Sequence, residues 1–186
     1  KAIHSKGVLL LTGYLGAKYA RNFPLTLCAN IAMEQSYGHI DGDSASLAEV
    51  CALISAITDI PIEQSLAVTG SINQHGQVQA IGGVNEKIEG FFRLCQSRGL
   101  TGEQGVIIPA SNQLNLVLRD EVIAAVAEQK FHIYVVKTVD EALALLTGEE
   151  AGELNRRGQY PKKSVNGRAM QRLAEIAELV NGALDE

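Results

Sequence analysis

The sequence predicts an α/β (α+β) domain of small mixed sheets with flanking helices. Two observations carry that expectation: apolar runs of strand length alternate with longer stripes at helical spacing, and no internal repeat or low-complexity tract interrupts the order. The 186 residues, 46% hydrophobic and 20% charged, suit one domain with a real core.

Taken in order, Gly7 to Leu11 reads as a buried strand closed by Thr12-Gly13. Ala17 to Glu34 reads as helical, with Pro24 starting a new helix or kinking the old one, and Leu27, Cys28, Ile31 and Ala32 as its apolar stripe. Leu47 to Ile57 is a helix stopped by Asp59-Ile60-Pro61. Leu66 to Ile72 and Gln77 to Ile81 read as strands joined by the hairpin signal Asn73-Gln74-His75-Gly76. A helix from about Asn85 to Arg98 ends at Gly99. Val106 to Pro109 is a short strand before a polar Ser111-Asn112-Gln113 loop. Glu121 to Gln129, His132 to Val136 and Asp140 to Leu146 read as helix, strand and helix. The domain is expected over residues 1–148, followed by a polar linker and an amphipathic helix over 149–186 whose stripe is Met170, Leu173, Ile176, Ala177 and Val180.

A net charge of −5 gives no general attraction to nucleic acid or anionic membrane. The main basic cluster, Arg156, Arg157, Lys162, Lys163 and Arg168, reads as a solvated linker. Cys28, Cys51 and Cys95 lack metal-ligand spacing and read as buried free thiols of a reducing compartment. The run Val8 to Leu11 is too short to span a bilayer.

Chemistry is suggested at two places. In Asp41-Gly42-Asp43-Ser44-Ala45-Ser46, a turn of small residues opens onto a helix, whose unpaired amides can stabilise an oxyanion beside an exposed serine. The bland reading is helix capping, and Ser46-Leu47-Ala48-Glu49 matches a capping box. If Ser46 is the cap, Ser44 is left free outside the helix. The second place is Lys87. Ile88, Phe91, Phe92 and Cys95 form one buried face, and Lys87 falls at its boundary, where burial would lower an amine's pKa. A lysine whose stem merely covers the stripe is the alternative. His4, His39, His75 and His132 lie in separate elements, and a Ser-His-Asp triad through His39 lacks any support beyond proximity.

Asp41-Gly42-Asp43-Ser44-Ala45-Ser46, Ala67-Val68-Thr69-Gly70-Ser71, Gly76-Gln77-Val78 and Ile81-Gly82-Gly83-Val84-Asn85-Glu86-Lys87, in this order and spacing, resemble the proteolytic domain of Lon peptidases. His4-Ser5-Lys6-Gly7 resembles the start of that domain, and Gly105 to Asn112 its later strand and loop. The resemblance covers about residues 3 to 147. It implies a fold related to the second domain of ribosomal protein S5. It also implies a serine endopeptidase with Ser44 as nucleophile, Lys87 as general base and Thr69 orienting the lysine. Asp41 matches an acidic position near the site. Many Lon proteins carry Pro where this chain has Asp43 and Gly where it has Ser46, which brings it closer to the B-type and Lon-related bacterial branch.

Family members form homo-oligomeric rings, commonly hexamers, and couple this domain to an AAA+ ATPase that unfolds protein substrates. No phosphate-binding loop occurs here, so ATP and magnesium are expected only on a separate AAA+ portion of a longer cytoplasmic polypeptide. This chain is expected to need no cofactor or metal of its own, and to contact unfolded polypeptides rather than membrane or nucleic acid. The rival expectation is a catalytically silent Lon-like module used for assembly or binding; retention of Ser44, Lys87 and Thr69 argues against it.

Overall fold

A computed structural model describes residues 2–33 and 42–182. Asp41 and His39 lie outside the described residues. The elements in chain order are α1 (Ala2–Tyr19), α2 (Ser46–Thr58), β1 (Leu66–Val68), β2 (Ser71–Ile72), β3 (Val78–Gln79), α3 (Val84–Arg98), β4 (Gly105–Pro109), a 3₁₀ turn (Ala110–Asn115), α4 (Asp120–Ala127), β5 (His132–Val136), α5 (Val139–Thr147) and α6 (Val165–Gly182).

β1, β4 and β5 form a parallel sheet in the order β1-β4-β5, with Val68 opposite Ile107 and Ile107 opposite Tyr134. Side chains alternate across its two faces, as a pleated strand requires. Ile107, Val68 and Tyr134 face a core shared with α1, α2, α5 and α6. Val106, Ile108, Ala67 and Ile133 face a second core with α3 and α4, centred on Ile88, Phe92, Val122 and Phe131. The sheet is therefore covered on both faces, which explains why all five residues of β4 are buried. The short antiparallel pair β2-β3 is closed by the Asn73–Gly76 turn, where the Asn73 carboxamide accepts from the His75 and Gln77 amides.

Two expectations are corrected here. Gly7 to Leu11 is not a strand but part of α1. Gly7, Leu11, Tyr14, Leu15 and Tyr19 are buried in a helical rhythm, while Val8 and Leu9 face outward. A short apolar run cannot distinguish strand from helix; burial continuing at 3.6-residue spacing to Tyr19 decides it. The helix expected after Pro24 is also absent among the described residues. Residues 24–33 form neither helix nor strand, with Leu25 and Leu27 half-buried on the first core and Cys28 to Met33 exposed. Of the expected stripe only Leu27 packs on the core, and a stripe so little buried does not hold a short helix. Cys28 is accordingly exposed, whereas Cys51 and Cys95 are buried free thiols.

α6 starts earlier than its stripe suggested, and it packs by Val165, Ala169 and Leu173 into the first core, with Val180 outside. Its buried Asn166 receives a hydrogen bond from the Tyr19 hydroxyl at 2.6 Å and donates to the Gly152 carbonyl at 2.9 Å. No described helix is long and apolar enough to cross a membrane.

Candidate active site

Ser44 stands two residues before α2, in a turn begun by Gly42 at φ +92°. This turn is bound to its surroundings by backbone. The Ser44 carbonyl accepts from the Gly70 amide at 2.9 Å, and the Gly70 carbonyl accepts from the Leu47 amide at 3.1 Å. Asp43 pairs with Lys6 of α1 at 3.4 Å. The capping box does not form, because Ala45 occupies the cap position and no side chain caps the helix. Ser46 is instead the first helical residue. Its buried hydroxyl donates to the Asp43 carbonyl at 2.8 Å and accepts from the Ile72 amide at 3.1 Å, tying the serine turn to β2. Ser44 keeps its hydroxyl free of capping duty. Among the described residues, the Ser44 and Ala45 amides donate no hydrogen bond, leaving two N–H groups at the positive end of α2.

Lys87 belongs to the first turn of α3. Gly83 caps that helix with φ +68°, a left-handed conformation that glycine adopts without strain, and its carbonyl accepts from the Lys87 amide. α2 and α3 lie on opposite faces of the sheet, and β1 is its edge strand. Ser44 and Lys87 reach round that edge from the two layers. Their Oγ and Nζ atoms are 2.9 Å apart although the residues are 43 positions apart in sequence. Thr69, just past the end of β1 and 8% exposed, completes the cluster. Its Oγ1 accepts from Lys87 Nζ at 3.3 Å and donates to the Ser44 carbonyl at the same distance. The structure thus brings together three of the four site residues named from sequence; Asp41 is the fourth and lies outside the described residues.

Partial burial of the amine lowers the Lys87 pKa below the ordinary lysine value, although the residue as a whole remains exposed. Ser44, Lys87 and Thr69 open onto a groove of about 490 Å³, walled mainly by Ile31, Met33, Ala48, Ala52, Val68 and Val106. The buried Glu49 also lines it. Sequence reasoning did not assign these residues to one groove, since they come from four separate segments and, apart from Glu49, are apolar. His75 lies in the β2-β3 turn and His132 in β5, where its Nε2 lies 2.7 Å from the Gly102 carbonyl. No His, Cys, Asp or Glu group suited to a metal ion occurs among the described residues.

Residues 31–148 match the family model of the Lon protease (S16) C-terminal proteolytic domain. The chain belongs to the Lon protease family. It is 51% identical over 144 residues to a protein of Escherichia coli K12 named as a Lon protease homolog, covering 77% of this chain and 25% of that protein. A protein of the same name from Haemophilus influenzae is 46% identical over 174 residues, covering 93% of this chain and 29% of its own length. The archaeal Lon protease of Methanocaldococcus jannaschii is 42% identical over 116 residues, covering 62% of this chain and 15% of the relative. This chain thus spans between a quarter and a third of the two bacterial relatives. The helices and small sheets described above are consistent with an α/β Lon proteolytic domain, which the family model places over residues 31–148.

Proposed function

We propose that this chain is a serine endopeptidase that cleaves unfolded or misfolded polypeptides with a Ser44–Lys87 dyad, as the proteolytic part of a longer ATP-dependent protein. The observation that carries the reading is the 2.9 Å approach of Lys87 Nζ to Ser44 Oγ, with Thr69 hydrogen-bonded to both residues.

With its amine neutral, Lys87 accepts the Ser44 proton as Oγ attacks the scissile carbonyl carbon. The developing oxyanion is stabilised by the free amides of Ser44 and Ala45 at the start of α2. The Lys87 ammonium then delivers the same proton to the departing amine as the C–N bond breaks, leaving an acyl ester on Ser44. Water attacks that ester, giving a proton to Lys87, which returns it to Ser44 Oγ as the acyl C–O bond breaks. The carboxylic acid product leaves and ionises in solvent, with Ser44 and the neutral amine restored. Thr69 accepts a hydrogen bond from the amine and so aims its lone pair at Oγ. The groove's apolar walls supply the contact surface for an extended chain, and a folded substrate has no strand free to enter it.

Residues 1–148 carry the catalytic side chains in this reading, and 149–186 are a C-terminal linker and a helix that packs on the same first core. ATP and magnesium act on a separate AAA+ portion that feeds substrate. The assembly is a homo-oligomeric ring, a hexamer, in the cytoplasm.

A fluorescent fluorophosphonate tests the dyad. It is expected to label the complete protein, to spare Ser44→Ala, and to react far more slowly with Lys87→Ala. Undiminished labelling of both variants would eliminate the reading.

A further inference from the structure

We propose that Asn112 is a positioning residue for this reaction: its side-chain amide, clamped on the Ile81 backbone, fixes the start of α3 and hence the reach of Lys87 toward Ser44. The inference rests on the Ser44–Lys87 reading above.

Asn112 is 4% exposed, in the 3₁₀ turn after β4. Its Oδ1 accepts from the Ile81 amide at 3.0 Å, and its Nδ2 donates to the Ile81 carbonyl at 3.0 Å. β3 has ended at Gln79, so this one side chain satisfies both backbone groups that a strand neighbour would otherwise serve. Gly82 and Gly83 follow at once, and then the helix bearing Lys87. Neither glycine is held by packing. A Cβ at Gly82 would meet nothing within 4 Å, and one at Gly83 only the Glu86 carboxylate at 3.7 Å. Side-chain packing at the two glycines therefore does not place this link, and the clamp anchors its upstream end.

The same segment grips α3 further along. The Val117 amide donates to Asn85 Oδ1 at 3.1 Å, and the Arg119 amide donates to Glu89 Oε1 at 3.2 Å. Asn85 and Glu89 stand four positions apart on α3 and so lie on one side of it, whereas Lys87 falls about 200° round from Asn85. The 110–119 segment holds the back of the helix, and the front presents the amine. Asn112 is the buried member of this grip, shielded from competing water. Around Lys87 itself, Ser44 and Thr69 are neutral, Glu49 of α2 lines the groove, and Glu86 is its neighbour on α3.

The test is steady-state cleavage of a fluorogenic peptide by the complete protein carrying Asn112→Leu, Asn112→Asp or Lys87→Ala, each followed across pH and by thermal melting. Asn112→Leu removes both hydrogen bonds. It is expected to lower kcat about 10–100-fold with KM within about 2-fold, because misplacement of the order of 1 Å is that damaging. The pH at which kcat rises should also move upward as the amine swings toward water. Asn112→Asp keeps the acceptor for the Ile81 amide and should fall between. An unaltered kcat and pH midpoint in folded Asn112→Leu overturns the proposal. So does a loss that merely tracks the unfolded fraction while the midpoint stays put. If Asn112→Leu does not fold, Asn112→Asp decides by the same two readouts. Full activity in Lys87→Ala would instead sink the dyad reading, a failure separate from that of the clamp.

Discussion

The Thr69 hydroxyl donates to the Ser44 carbonyl at 3.3 Å while accepting from the Lys87 amine at 3.3 Å. One buried side chain thus holds the nucleophile's backbone and the base's head group in a single frame. Thr69→Val keeps the shape and removes both bonds. Its stability should fall by about 1–2 kcal/mol, the usual effect of leaving buried polar partners unpaired. kcat should fall about 10-fold or more, because the lysine loses its aim. Thr69→Ser should recover much of the rate. Steady-state kinetics with a melting curve for each variant checks both parts.

The acidity of Lys87 gives a pH dependence with a definite sign. Burial disfavours the ammonium, so the folded pKa lies below the ordinary 10.5. The neutral base becomes more abundant as pH rises through that lowered value, so kcat/KM should climb with pH and level off before 10.5. For stability the sign is the same. The burial penalty is fully present below the folded pKa, where both states are charged, and disappears above the unfolded pKa, where both are neutral. Lys87→Arg tests the chemistry, since a guanidinium does not deprotonate in this range. It should lose at least about 100-fold in kcat while retaining the fold. A pH–rate profile of wild type and variant supplies the check.

Gly70 is a site of close approach. A Cβ there would stand 2.8 Å from Leu47 Cδ2 and 3.1 Å from Val78 Cγ1. Its backbone also bridges Ser44 and Leu47, so any shift of Gly70 is passed to the nucleophile's turn. Gly70→Ala should destabilise the protein by about 1–3 kcal/mol through overpacking. Activity should fall further than the folded fraction explains. Chemical denaturation alongside fluorophosphonate labelling rates separates the two effects.

How far the sequence reveals this arrangement depends on how local the cause is. α3 is legible because Ile88, Phe92 and Cys95 keep helical spacing and Gly99 ends the run, and each of these causes lies within a few residues. The β2-β3 turn is legible for the same reason, through Asn73 and Gly76. The meeting of Ser44 with Lys87 is not contained in either local pattern. It depends on β1 pairing with β4 and on helices packing over both faces, and only resemblance to a family joins the two segments in advance. Gly7 to Leu11 misleads because its fate is decided by Tyr14, Leu15 and Tyr19 beyond it. Ser46 misleads because the Ile72 amide, 26 positions away, takes up the hydroxyl that capping would have used.

The correction at Cys28 has a direct chemical consequence. Cys51 is buried with its pKa pushed up to about 12, and burial raises that of Cys95 as well. Both are therefore protonated and shielded, while Cys28 is exposed on the segment that precedes the groove wall. Ellman's reagent should titrate one of the three thiols rapidly in the native protein and all three after denaturation. Cys28→Ser should abolish the rapid phase without altering peptidase activity. Three rapid thiols in the native state would contradict the burial of Cys51 and Cys95.

Asn166 makes the C-terminal helix part of the same cooperative structure as the first helix. Its carboxamide accepts from the Tyr19 hydroxyl and donates to both the Gly152 carbonyl and Asp140, joining α6 to α1, α5 and the 149–164 segment with no exposed surface of its own. Asp140 also pairs with Lys18, whose ammonium lies over the Tyr14 and Tyr19 rings, so loss of Asn166 disturbs a whole polar layer. Asn166→Ala should cost about 2–4 kcal/mol, because it leaves a buried hydroxyl and a carbonyl without partners. Truncation after Gly148 removes Val165, Ala169 and Leu173 from the first core as well, and should leave the remainder unable to hold α2, and with it the Ser44 turn, in place. Cooperative unfolding of Asn166→Ala at a lower denaturant midpoint is the expected measurement. A truncated chain that melts and cleaves like the complete one would show that α6 is an independent appendage.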